Sequence, residues 1–217
     1  LTGVDMHYWL HMTVNPAKAR DHAEPRLCCK TGREGQWDAI NPQFTVMIDG
    51  KTVQAMDTNH TWLPLEFDKK YDIYIYAYTG MNPNPLGIDL DITLEIIDLK
   101  IESLYYDIKV PYDSMQLLDS NSTDYTKIRR ALDRAALKLD LRDVYSSDFY
   151  SGIDAAAKYL KDEFYDKLTP SDNIVSCIGH THIDVAWLWT VAQTKEKVQR
   201  SFSTVLNLMK RYKDYIF

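Results

Sequence analysis

The stretch Asn173-Ile174-Val175-Ser176-Cys177-Ile178-Gly179-His180-Thr181-His182-Ile183-Asp184-Val185-Ala186-Trp187-Leu188-Trp189 decides how this chain is read. Ile174 to Ile178 is a short apolar run bounded by polar residues, the pattern of a buried strand. Alternate residues of a strand share a face, so His180, His182 and Asp184 are expected to project together from the strand's end. Two imidazoles and a carboxylate converging there suit zinc or another divalent cation. Trp187 and Trp189 offer flat apolar faces suited to a sugar ring. The competing reading is a pair of histidines that merely close a buried strand; the added carboxylate and tryptophans favour the metal. A helix follows, with Val198, Phe202, Val205, Leu206 and Met209 on its apolar face. Strand, functional loop and helix read as the first βα unit of an incomplete β/α barrel, with ligands at the strand's C-terminal end. One unit cannot close a barrel. Its strand edges and apolar helix face need cover from the rest of the chain or from a homo-oligomer.

Upstream, periodicity sets a multidomain α and β organisation. Residues 1–118 read as an antiparallel β-sandwich, 119–170 as a helical connector, and 171–217 as the start of the barrel. In the first part, Met6–Val14, Trp62–Phe67, Asp72–Tyr78, Asp91–Ile97 and Ile101–Val110 read as strands. Phe44–Ile48 and Thr52–Met56 flank Asp49-Gly50-Lys51, a tight-turn signal. Ile73, Ile75 and Ala77 alternate with Tyr74, Tyr76 and Tyr78, predicting one core face and one aromatic face. Gly80 to Gly87 carries two prolines and reads as a loop. His7, His11, His22 and His60 are expected to be structural or solvated. In the connector, Tyr125, Ile128, Leu132, Ala135, Ala136 and Leu139 form one helical stripe, with candidate caps from Asp119 to Thr123. Phe149, Ile153, Ala157, Leu160, Phe164 and Leu168 form a second, stopped by Pro170. The two helices are expected to pair across the turn Leu141–Tyr145.

Composition bounds the function classes. The chain has 217 residues, 45% hydrophobic and 26% charged, as in globular proteins rather than disordered ones. A net charge of −6 supplies no basic surface for nucleic acid or anionic lipid. No apolar run approaches the roughly 18 residues of a membrane span. The three cysteines Cys28, Cys29 and Cys177 lack framework spacing, and Cys177 is expected to be a buried thiol in its strand. A reducing, cytoplasmic location is therefore expected, although Asn59-His60-Thr61 and Asn121-Ser122-Thr123 have the form of glycosylation acceptors. The sequence opens at Leu1 rather than Met, so further residues are expected upstream.

Residues Asn173 to Phe217 also resemble the start of the catalytic domain in retaining α-mannosidases of glycoside hydrolase family 38. The resemblance rests on IGHTHIDVAWLW, then Lys197, RSFSTVLNLM and the ending Tyr-Lys-Asp-Tyr-Ile-Phe. It is nearest to the bacterial, vacuolar and cytosolic branch. Golgi and lysosomal members carry a Pro-Gly pair where this chain has Val185-Ala186. The resemblance implies that His182 and Asp184 are metal ligands, that Trp187 lines the sugar subsite, and that His180 supports the ligands without binding metal. It implies mannose-containing oligosaccharide as substrate. The family's nucleophile, remaining ligands and acid/base carboxylate lie on later strands, beyond Phe217. No catalytic residue is therefore expected in this chain, and zinc or another divalent cation is expected to bind the full-length enzyme but weakly, or not at all, here. Two rivals stand beside this reading. One is a zinc hydrolase of the amidohydrolase type, which also places His-x-His on its first barrel strand and whose metal activates water. The other is a non-enzymatic carbohydrate-binding module built on the sandwich.

Overall fold

Alternation of apolar and polar residues builds seven strands among the residues that the computed structural model describes, which are 3–18, 21–32, 34–35, 43–80, 90–169, 173–187 and 189–217. They are β1 (His7–Val14), β2 (Ala23–Lys30), β3 (Gln43–Ile48), β4 (Lys51–Met56), β5 (Trp62–Pro64), β6 (Tyr71–Tyr78) and β7 (Asp91–Asp98). Four helices follow: α1 (Leu99–Met115), α2 (Thr123–Ala136), α3 (Ser147–Glu163) and α4 (Val191–Arg211). Two compact units emerge. The first holds Leu1–Arg20, Glu24–Ile96 and Val175–Phe217; the second holds Asp21–Ala23 and Ile97–Ile174.

In the first unit, an antiparallel sheet runs in the order β1-β6-β3-β4, and a second sheet in the order β5-β2-β7. The β3–β4 hairpin turns on Asp49 and Gly50, both at positive φ (50° and 76°), the backbone that matches strand twist in a two-residue loop. Strand β6 behaves as its alternation predicts. Ile73, Ile75 and Ala77 are fully buried, and Tyr74, Tyr76 and Tyr78 occupy the other face. The core joins both sheets, with Leu27, Cys29 and Leu63 meeting Phe44, Val46 and Ile75. Strand β2 carries no clean alternation and escapes a sequence reading. Its buried Arg26 is tolerated because Glu24 accepts from Nε at 2.6 Å and the guanidinium stacks 3.9 Å above Trp62.

Helix α4 covers the outer edge of β4, and it does so with polar side chains. An edge strand leaves backbone groups that need partners. Ala55 donates its N–H to Thr204 Oγ1 at 2.9 Å, and Asn207 donates to the carbonyl of Val53. Arg200 reaches Gln43 Oε1 at 2.6 Å, and Arg211 grips Glu24 through two bonds of 2.8 and 3.0 Å. Of the apolar face predicted from sequence, only Val205 is buried, while Phe202, Leu206 and Met209 stay exposed.

The second unit is helical. Ser122 and Ser146 cap α2 and α3, each accepting a backbone N–H three residues on, a bond that stabilises a helix by about 1 kcal/mol. Ala131, Leu132 and Ala135 pack against Phe149, Ile153 and Leu160, the pairing that the two stripes predict. Gly152 permits it: a Cβ there would lie 2.8 Å from the carbonyl oxygen of Lys138.

Three expectations are corrected. Ile101–Val110 belongs to α1 and is not a strand. Its composition is strand-like, but Ile101, Leu104 and Ile108 fall on one helical face against the α2–α3 core, and Asp98 caps the helix by accepting from Lys100 and Ile101. Ile174–Ile178 forms no strand, because no strand among the described residues pairs with it and an unpaired strand gains no ladder bonds. Cys177, expected to be buried there, is accordingly exposed. The segment Met81–Gly87 of the expected loop and the helix-stopping Pro170 lie outside the described residues.

Candidate functional site

The described residues of the motif segment, 173–187 and 189–190, have no regular structure, and the chain enters α4 through a capping box, in which Thr190 and Gln193 bond each other's backbone N–H at 2.9 and 3.3 Å. Gly179 is held by a 2.7 Å bond from its N–H to the carbonyl of Ile216. A Cβ there would lie 2.9 Å from Tyr215 Cζ and 3.1 Å from the Ile216 carbonyl oxygen, so the Tyr215 ring would have to shift to admit one.

The predicted ligands come together even without the strand. His182 Nε2 lies 3.0 Å from Asp184 Oδ1. Two donors on one zinc, each bound at about 2.0–2.2 Å, sit at a similar separation, so a cation replacing the shared proton fits the pair. Both side chains are open to solvent, His182 at 76% and Asp184 at 46%. His180 is exposed, and no group of three or more metal-binding side chains occurs among the described residues. Trp187 is 65% exposed and meets Trp189 edge to face, with centroids 5.5 Å apart.

Two neighbours of the motif, Gln43 and Asp57, were not singled out by sequence reasoning. A polar cavity of about 230 Å³ beside His182 is lined by Gln43, Asp57, Trp189, Lys197 and Arg200. Arg200 is almost wholly buried, with Glu196 at 3.9 Å as counter-charge, and burial pushes its pKa down. Burial also lowers Lys197, with Arg200 adding repulsion; its ammonium sits 4.1 Å over the Trp189 ring. The sequence offers Lys197 and Arg200 only as part of the resemblance; the structure places both at this cavity.

Three of the histidines outside the motif have side-chain partners of their own. His7 meets the Tyr76 hydroxyl at 2.5 Å, His11 meets Asp72 at 2.5 Å, and His60 meets Asp57 at 3.0 Å. Cys28 and Cys29 are buried, and burial raises their thiols to about 11 and about 12, which leaves them inert as nucleophiles. No helix among the described residues is long and apolar enough to cross a membrane.

Comparison with known proteins matches residues 173–217 to the glycosyl hydrolases family 38 N-terminal domain. An α-mannosidase of Saccharomyces cerevisiae is 27% identical over 212 residues, covering 84% of this chain and 19% of the yeast protein. Mouse α-mannosidase 2C1 is 41% identical over 63 residues, covering 29% of the chain and 6% of the relative. α-Mannosidase G of Dictyostelium discoideum is 43% identical over 58 residues, covering 26% and 5%. The chain therefore spans about a fifth or less of the length of these relatives. The chain is thus similar to family 38 α-mannosidases, most specifically through residues 173–217.

Proposed function

We propose that this chain is the N-terminal part of a retaining, metal-dependent α-mannosidase that removes terminal α-linked mannose from oligosaccharides. The observation that carries the proposal is the convergence of His182 Nε2 and Asp184 Oδ1 at 3.0 Å inside the family 38 segment. In this reading the sandwich expected over residues 1–118 ends with β7 and is an accessory domain, supported by the two-sheet core; α1 joins α2 and α3 in the connector; 171–217 open the catalytic barrel. Three free cysteines support a cytoplasmic location.

His182 and Asp184 would hold zinc or a similar divalent cation, which when bound supplies a Lewis-acidic anchor for sugar hydroxyls. To bind it, His182 would present the lone pair of Nε2, with the ring proton on Nδ1. Asp184 contributes the negative charge that offsets the cation. Trp187, with its open face, would pack on the apolar side of the mannose ring and exclude water there. His180 would orient the ligands from outside their shell. The attacking carboxylate and the acid/base carboxylate, about 5 Å apart in a retaining glycosidase, would come from later strands. By itself the 217-residue chain is therefore inactive.

Hydrolysis of an aryl α-mannoside by the protein at its full gene length tests this. Turnover should be present and should fall to background in His182→Ala and Asp184→Ala. Full activity in both variants would refute the assignment.

A further inference from the structure

We infer that Thr194 and Trp189 are positioning residues for the Asp184 carboxylate, an inference that rests on the metal reading above. Neither side chain of the His182–Asp184 pair is packed well enough to hold itself in place, being largely solvated. Their convergence must come from the backbone beneath them.

That backbone is held at two adjoining points. Trp189 Nε1 donates to the carbonyl of Asp184 at 3.2 Å and to Thr194 Oγ1 at 3.1 Å. The same Thr194 oxygen accepts the N–H of Ala186 at 3.2 Å and donates its own proton to the carbonyl of Thr190 at 3.2 Å. One buried hydroxyl and one indole N–H thus clamp the chain on either side of Val185. The clamp works against a cost, because Ala186 sits at φ 55°, a left-handed conformation that a side-chain-bearing residue keeps only where its surroundings enforce it. Lys197 steadies the indole from its face at 4.1 Å. Thr194 is itself fixed: it is 6% exposed and lies in the first turn of α4, next to the capping box. The order of command runs from the helix start, through Thr194 and Trp189, to the peptide that carries Asp184.

Thr204 provides the comparison. It is buried on the same helix and accepts the Ala55 N–H, a bond that involves neither Asp184 nor the peptides on either side of Val185. Co²⁺ alone is the probe, titrated into the metal-free protein at full gene length, with binding and the visible absorption band both recorded. Thr194→Val should weaken Co²⁺ by about tenfold or more and shift the band, the range for removing a partner that orients a ligand. Thr194→Ser, which restores the hydroxyl, should recover both. Thr204→Val should lower thermal stability and leave affinity and band unchanged. Should Thr194→Val fail to fold, Trp189→Phe removes the indole N–H while keeping an aromatic ring, and should reproduce the loss. Affinity and band within about twofold of wild type in the Thr194 and Trp189 variants, with Asp184→Asn abolishing binding, would overturn the inference alone. Unchanged binding in Asp184→Asn would overturn the metal reading with it.

Discussion

Strand β6 and the segment Ile174–Ile178 have similar β-branched, apolar composition and opposite fates. In β6, Ile73, Ile75 and Ala77 are each 0% exposed. In the motif segment, Ile174 is 92%, Val175 82% and Ile178 67% exposed. The difference lies in neighbours. Strand β6 is paired on both sides, by β1 and β3, whereas no strand among the described residues flanks 173–178. Strand preference reflects fit to a surrounding sheet more than an intrinsic backbone tendency, and these two segments separate the two effects. Helix α4 shows the same division within one element: its polar side finishes the edge of β4 while Phe202, Leu206 and Met209 face outward.

The most severe way to break the comparison is at its buried pole. Ile75→Ala should cost about 3 kcal/mol in urea unfolding of this chain, as a cavity in a core that cannot collapse around it. A loss below about 1 kcal/mol would mean that β6 is not the core strand. Gly179→Ala comes next, at about 2 kcal/mol, because the Cβ must displace the Tyr215 ring and loosen the Gly179–Ile216 bond. Faster amide exchange at Gly179 would accompany it; unchanged protection would contradict the contact.

A weaker effect is expected from His60 and Asp57. The hydrogen bond to Asp57 raises His60 above its ordinary value, and although burial pushes Asp57 up, the bond from His60 and two backbone N–H groups bring it below its own. The contribution of His60 is thus complete below about pH 6.5 and fades as pH rises through its raised pKa. That of Asp57 is complete above about pH 3.9 and fades as pH falls through its lowered one. With His60 half exposed, screening leaves about 0.5 kcal/mol. Melting curves of wild type and His60→Gln should therefore differ most between pH 4 and 6.5, the span of those ordinary values, and converge at alkaline pH. A difference that grows with pH would have the wrong sign. Smallest of all is Val175→Ala, within about 0.5 kcal/mol of wild type in this chain. In the protein at full gene length the same change should cost more than about 1 kcal/mol, if Val175 there joins a barrel strand.

Much of this was legible in residue order. The Asp49-Gly50 turn, the β6 alternation and the two connector stripes each carry their period in neighbouring residues, and the structure follows them. The convergence of His182 and Asp184 was legible for a different reason than supposed: no strand holds them, but two residues' spacing suffices for contact. Strand β2 was hidden because its buried arginine and proline break the pattern, and Arg26 is made tolerable by Glu24, two residues earlier on the same strand, and by Trp62 of β5. Helix α1 was hidden because β-branched and aromatic content spoke for a strand while spacing spoke for a helix. The clamp at Thr194 had no signature, since a lone threonine in a helix says nothing about which peptide it holds.

The central proposal is that His182 and Asp184 supply two ligands of a metal site that needs further donors from outside this segment. Zinc analysis of the purified 217-residue chain after exhaustive dialysis tests it most directly, with the protein at full gene length treated in parallel. Structural and catalytic zinc sites take three or four protein ligands, and affinity falls steeply with fewer. The account predicts zinc far below one per chain here and close to one in the longer protein, lost there on Asp184→Ala. One zinc retained per 217-residue chain and released by Asp184→Ala would contradict it.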